Sequence, residues 1–438
     1  MKPDCRILAI MGSGETSPTM VTVHKALVDL LGTAHPDAVL LDTPYAFQEN
    51  AADISSRAVS YFATSVGLDV AVVASSDAGG SDEGDRAGSS ARARAATSAA
   101  ALAAAARVRA ADWVFAGPGS PSYALSRWRD APLGQALRER IAIGSGVTVL
   151  ASAAAATAGL AAVPVYEIYK VGAPPHWLPG LDLLAAADLR VALIPHYDNA
   201  EGGTHDTRFC YLGERRLAVM ERELPADAAV LGVDEHTAVI FDLIAGTAEV
   251  RGRGGLTIRK NGVSTVLAAP AMLPIEDLRA TIRTGALAAT PVAVAGPAPL
   301  PGQREPDAAL PLADIVVRAE QQFEAALADG DGTGLITTIL DLEYAVHAWQ
   351  ADTDEDQGME QARAVLRGMI SRLDSAVTEG LRDPAARLRP AVGPLVELRS
   401  LLRTQGRYEE SDAIRSALAA CGVQIADSAD GTRWAIVT

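Results

Sequence analysis

Seven short apolar runs constrain the fold of this chain more than any other feature. They are RILAIMG (6–12), AVLLDTP (38–44), VAVVAS (70–75), WVFAGPG (113–119), VTVLAS (147–152), VALIPHY (191–197) and AAVLGVD (228–234). Each is four to seven residues of near-continuous Val, Ile, Leu and Ala, and helix-forming stretches separate them. Continuous rather than alternating apolar character marks strands buried on both faces, so the runs predict a doubly wound parallel sheet with helices on either side. Later segments, AVIFDLIAG and TAEVRG, read as an antiparallel edge. In such sheets ligands bind beyond the carboxyl ends of the strands. The motifs GSGE (12–15), DTPY (42–45), GPGS (117–120), PHYDN (195–199) and VDEHT (233–237) are therefore candidates for one shared rim.

The α/β pattern fills residues 1–290. Residues 291–310, PVAVAGPAPLPGQREPDAAL, read as a linker. The stretch ARARAATSAAALAAAARVRAA within 84–111 is a strong helix former whose arginines suit a solvated face. Beyond the linker, residues 311–438 read as a helical domain, with helices at 311–328, 333–350, 355–380, 385–405 and 408–421. Its tail, VQIADSADGTRWAIV, reads as a β-hairpin turning at Asp430-Gly431.

Composition narrows the function classes. With 438 residues, 49% hydrophobic and 21% charged, the chain can bury two or three cores. A net charge of −16 argues against general nucleic-acid or anionic-membrane binding, which needs clustered Lys and Arg. Three scattered cysteines suggest no disulfide framework. The start, MKPDCRILAIMG, lacks a signal-peptide layout, and the longest uncharged stretch, 146–166, is broken by Gly159 and Pro164. The expectation is a cytoplasmic protein with no membrane partner.

The segment GVTVLASAAAATAGL (146–160) outlines a strand turning into a helix at Ser152. Hydrolases place a nucleophilic serine at such a corner, flanked by glycines as G-x-S-x-G. The order of the Gly-rich turn, this elbow, an acidic residue, P-H-Y and V-D-E-H-T-A resembles the cyanophycinase and aspartyl dipeptidase family of serine peptidases. The resemblance spans roughly residues 5–270 and implies the class I glutamine amidotransferase-like fold. It implies that His196 is the catalytic histidine and Glu167 the acidic third member. Gly117, Gly119 and Ser120 match the turn that lends an oxyanion-hole amide. TRFCYLGERRL (207–217) matches the stretch after the histidine, and Asp234 and Glu235 match G-I-D-E-x-T-A.

The departure lies at the nucleophile. The family elbow reads about G-x-S-A-G-A. One register puts Ser152 on the serine, with Leu150 and Ala154 on the glycines. The other puts Ala151 and Ala155 on the glycines and Ala153 at the tip. Small residues are favoured where strand and helix pack closely, so the second register is preferred and Ser152 is expected to point away from the crevice. A second resemblance covers 402–434: ESDAIR, the C-G-V helix end and D-x-x-D-G-T-R-W are similar to the end of bacterial cysteinyl-tRNA synthetases.

The loop YDNAEGGTHDTRFCYLGERR (197–216) is the densest polar cluster. A loop so loaded after a sheet strand suggests a binding site, with Asn199, His205, Asp206, Arg208 and Arg215 as ligand contacts alongside Glu15 and Glu235. No metal-ligand spacing is specific, so no metal or cofactor is expected. The favoured function is binding of a small peptide- or amide-like ligand without efficient serine hydrolysis. The alternative is an active serine peptidase or amidase using Ser152, His196 and Glu167. A tRNA-associated role through the tail ranks third. Partners are then a small molecule or peptide, with room for a homodimer.

Overall fold

The computed structural model describes residues 4–74, 89–202, 205–287, 310–349, 356–379, 384–428 and 431–436. The 291–310 linker, apart from Leu310, lies outside them, as do 84–88 of the Ala/Arg-rich stretch and Asp430 of the hairpin turn. Contacts divide the chain into two units: Met1–Pro311 with Ala348–Met359, and Leu312–His347 with Glu360–Thr438.

The first unit is mixed α/β. Five strands, β1 (Arg6–Met11), β2 (Ala38–Leu41), β3 (Val70–Val73), β4 (Trp113–Ala116) and β5 (Gly146–Ala151), lie parallel in the order β3-β2-β4-β5-β1. The next four are β6 (Ala161–Ala162), β7 (Leu178–Pro179), β8 (Val191–Ile194) and β9 (Ala229–Val233). They do not extend that sheet. The free edge of β1 is taken antiparallel by β10 (Thr237–Asp242), with β11 (Thr247–Gly252) and β14 (Ala271–Pro274) beyond it. The edge hydrogen bonds of β1 being satisfied, β8 and β9 pair with each other. They are joined by β12 (Gly255–Lys260) and β13 (Val263–Ala268) on one side and by β6 and β7 on the other.

Among the described residues the single predicted sheet is thus two, of eight and six strands. The runs at 191–197 and 228–234 belong to the second.

Both faces of β1 are covered, as its unbroken apolar character requires. Leu8 and Ile10 join a core that also holds Leu193, Leu231 and Leu256 of the second sheet. Ile7, Ala9 and Met11, on the opposite face, pack with Tyr45, Phe62 and Trp113. The Ala/Arg-rich helix spans Ser89–Ala110.

In the second unit the helices are Leu312–Ala328, Gly332–Trp349, Asp356–Glu379, Pro384–Thr404 and Tyr408–Ala420. A hairpin of β15 (Val423–Ser428) and β16 (Gly431–Ile436) follows. Its Val423 and Ile425 pack with Val392, Val396 and Leu418. The fully buried Arg399 grips Asp427 with two hydrogen bonds of 2.9 and 2.7 Å and holds its carboxyl down to about 2. Among the described residues no helix is long and apolar enough to cross a membrane.

Candidate active site

Three strand ends meet at one cleft of about 500 Å3 in the first unit. β5 delivers Ser152, β8 delivers His196 and β9 delivers Glu235. The backbone turns abruptly at each: φ is +46° at Ser152, +47° at His196 and +51° at His236, beside Glu235. Left-handed conformations cost non-glycine residues of order 1–3 kcal/mol each, and they cluster where a side chain must be aimed.

Ser152 begins the helix Ser152–Ala156. Its Oγ lies 2.9 Å from His196 Nε2. On the other side of the ring, Nδ1 lies 2.9 Å from Glu235 Oε1. A carboxylate accepts from Nδ1–H, which leaves the Nε2 lone pair facing the serine hydroxyl. Burial pushes Glu235 up, but the hydrogen bond and charge of His196, with a hydrogen bond from Asn199, outweigh it and hold its carboxyl below the usual glutamate value. Burial drives the neighbouring His236 down to about 4. Its Nδ1 lies 2.9 Å from Thr19 Oγ1.

This geometry corrects two expectations. Ser152, not Ala153, stands at the tip of the elbow. Leu150 is tolerated two positions earlier because its side chain points into the core, fully buried and in one cluster with Ala154, so no glycine is required there. The carboxylate bonded to His196 is Glu235, not Glu167. Glu167 sits on the helix Val165–Tyr169 and accepts from Ser122 Oγ at 2.5 Å, lining a neighbouring open pocket with Ser120 and Tyr123.

The Gly-rich turn lies against the elbow, with the N–H of Ala154 donating to Gly117 O at 3.1 Å. Gly119 lines the cleft at φ +131°. A Cβ there would fall 2.1 Å from Pro44 O. The N–H of Ser120 is committed to Pro44 O at 2.8 Å. Its side chain caps the helix Pro121–Trp128 by accepting from the N–H of Tyr123. Ala153 is the second residue of its helix, where N–H groups have no intrahelical acceptor.

The polar loop divides. His205 lines the cleft, stacked on Tyr169 at 6.2 Å, together with Glu201, Cys210 and Tyr211. Arg208 forks onto Asp206 instead, at 2.8 and 2.9 Å, and Asp206 also accepts from the N–H of Glu214. That pair holds the Asp206 carboxyl well below its usual range. These two residues and the exposed Arg215 are not among those lining the cleft. Glu15 is wholly buried behind the Gly-rich turn, where a Cβ on Gly117 would meet its Oε1 at 2.8 Å.

Tyr45, Gln48 and Arg57, with Tyr166 and Lys170, also line the cleft, and sequence reasoning missed all of them but Tyr45. Tyr45 ends the DTPY motif, which carried a signal. The others lie on helices and loops with no distinctive pattern. Among the described residues no three His, Cys, Asp or Glu side chains converge as a metal site.

No family model matches the chain. Its C-terminal region is similar to cysteine–tRNA ligases. It is 30% identical over 110 residues to that of Dehalococcoides mccartyi, which is 25% of this chain and 23% of the ligase. It is 38% identical over 63 residues to that of Salinibacter ruber, which is 14% and 12%. The chain spans about a quarter and about an eighth of these curated relatives. Among solved structures, a peptidase from an acI-B1 Actinobacterium aligns with 62% of this chain and 97% of its own, at 17% identity and a TM-score of 0.44. A protein described as a candidate peptidase E from Listeria monocytogenes aligns with 57% and 98%, at 13% identity and a TM-score of 0.35. The curated relatives are cysteine–tRNA ligases, in line with the resemblance of the C-terminal tail.

Proposed function

We propose that the chain is a serine hydrolase that cleaves an amide bond in a small peptide or related amide, with Ser152 as nucleophile, His196 as general base and Glu235 as the carboxylate that orients it. The observation that carries this reading is the unbroken run of hydrogen bonds from Ser152 Oγ through both ring nitrogens of His196 to Glu235, each 2.9 Å. His196 Nε2 takes the serine proton as Oγ attacks the carbonyl carbon. In this reading the N–H groups of Gly119 and Ala153, which line the cleft, are the donors to the developing oxyanion. The imidazolium, stabilised by Glu235, then gives its proton to the leaving amine, and water releases the acyl group by the same steps.

The reading assigns the first unit to the class I glutamine amidotransferase-like architecture and a cytoplasmic setting. The ground for ligand binding without hydrolysis was a missing hydroxyl beside His196, and Ser152 supplies one.

The test is a fluorophosphonate probe on the purified full chain. Stoichiometric labelling that vanishes in Ser152→Ala is expected. Absence of labelling on folded protein, with the probe reacting normally on a control hydrolase, overturns the reading.

A further inference from the structure

The loop after His196 holds more than the base. Tyr197 N–H donates to Val233 O at 3.1 Å. Asp198 Oδ1 accepts from the N–H of Glu235 at 2.7 Å. Asn199 Nδ2 donates to Glu235 Oε1 at 3.1 Å. Three successive residues therefore grip the end of β9 where it delivers the carboxylate. Asn199 is wholly buried and is not among the residues lining the cleft. Its orientation is fixed independently: Oδ1 accepts from the N–H of Glu201 at 3.3 Å, so the amide nitrogen must face Glu235. Its carbonyl accepts from the hydroxyl of Thr207, which in turn accepts from the N–H of Gly202.

We propose that Asn199 is a positioning residue for acyl transfer, a fourth member of the Ser152–His196–Glu235 network that fixes the rotation of the Glu235 carboxylate. This rests on the hydrolase reading above. One oxygen, Glu235 Oε1, accepts from both His196 Nδ1–H and Asn199 Nδ2–H. With the amide in place, that oxygen is pinned between two donors. Without it, the carboxylate can turn about its last torsion, where the rotational wells are broad. The imidazole then loses its defined partner. The same hydrogen bond favours the ionised form of Glu235, so its loss also lets the carboxyl protonate at higher pH. The role predicted for Asn199 from sequence, contact with a ligand, gives way to one behind the catalytic groups.

The experiment compares the wild type with Asn199→Ala and the near-isosteric Asn199→Asp. Two readouts are used: the rate of fluorophosphonate labelling as a function of pH, and the low-field proton NMR line of the His196 Nδ1–H. Asn199→Ala is expected to label Ser152 about ten-fold more slowly, with the acid limb moved to higher pH. Its Nδ1–H line should be shifted or lost. Asn199→Asp places a second carboxylate against Glu235 and should be slower than Asn199→Ala above the acid limb. For any amide substrate, the loss should fall on kcat rather than KM. Labelling rates, acid limb and proton line unchanged in both variants overturn the proposal. If the wild type itself does not label, the hydrolase reading fails, while the proton line still decides whether Asn199 holds Glu235. If Asn199→Ala does not fold, Asn199→Asp carries the same comparison.

Discussion

At the scale of single residues, two glutamates compete for one role, and geometry separates them. Glu235 shares a hydrogen bond with His196, whereas Glu167 holds Ser122. Replacing Glu235 by Gln puts an amide that can donate next to Nδ1 and favours the tautomer with its proton on Nε2, which cannot take the serine proton. Labelling of Ser152 is expected to slow roughly a thousandfold. Glu167→Gln should change it by less than about two-fold, because its partner is a hydroxyl outside the triad. Equal effects of the two variants, measured side by side, would return Glu167 to the site. The elbow teaches a related lesson. The steric rule that small residues belong at the corner is sound, but it does not govern Leu150, whose side chain leaves the corner for the core. Close packing read one residue out of register puts Ala153 at the tip, whereas Ser152 is the residue whose Oγ reaches His196.

At the scale of elements, the turn after β4 sets the crevice as much as the elbow does. Gly119 can hold φ +131° only without a side chain, and a Cβ would collide with the Pro44 carbonyl at 2.1 Å. Gly119→Ala is expected to cost at least about 2 kcal/mol, because the Pro44 carbonyl it meets is backbone and cannot swing away. It should also displace the Gly119 amide, which the proposed mechanism uses as an oxyanion donor. Thermal denaturation should show a lower Tm, and labelling of Ser152 should fall by more than the loss of folded protein explains. An unchanged Tm would show that the turn relaxes at little cost.

The elements were largely legible: each of the seven apolar runs is a strand, since continuous β-branched character is a local property. The five C-terminal helices were legible because helix-forming composition and a periodicity of about 3.6 residues are local too. What could not be read was which strand lies beside which. The pairing of β10 with β1 joins residues more than two hundred positions apart, and it is this pairing that sends β8 and β9 to a second sheet. His196 and Gly119 were legible because short motifs follow strands. Glu235 was seen, but its partner in space was not, since its bond to His196 crosses from one loop to another.

At the scale of the whole molecule, a mixed α/β unit shares a chain with a C-terminal region whose sequence is similar to cysteine–tRNA ligases. That similarity invites a tRNA partner, and electrostatics argues against a general one. Binding an RNA backbone requires cations free to displace counterions, about one for each phosphate contacted. The chain carries 54 acidic against 38 basic side chains, a net charge of −16. Arginines of the second unit are engaged at home: Arg372 with Glu324, Arg399 with Asp427 and Arg407 with Glu410. Of these, Arg399 is fully buried, and exposing it would cost both its ion pair and the packing of the hairpin. The full chain is therefore expected to bind bulk tRNA no more tightly than about 10 μM at physiological salt in a filter-binding titration, a value within the non-specific range. Raising salt should change that little, because few counterions are released. A submicromolar affinity that falls steeply with added salt would show a cationic surface that the charge balance conceals, and would make the second unit an RNA-binding module.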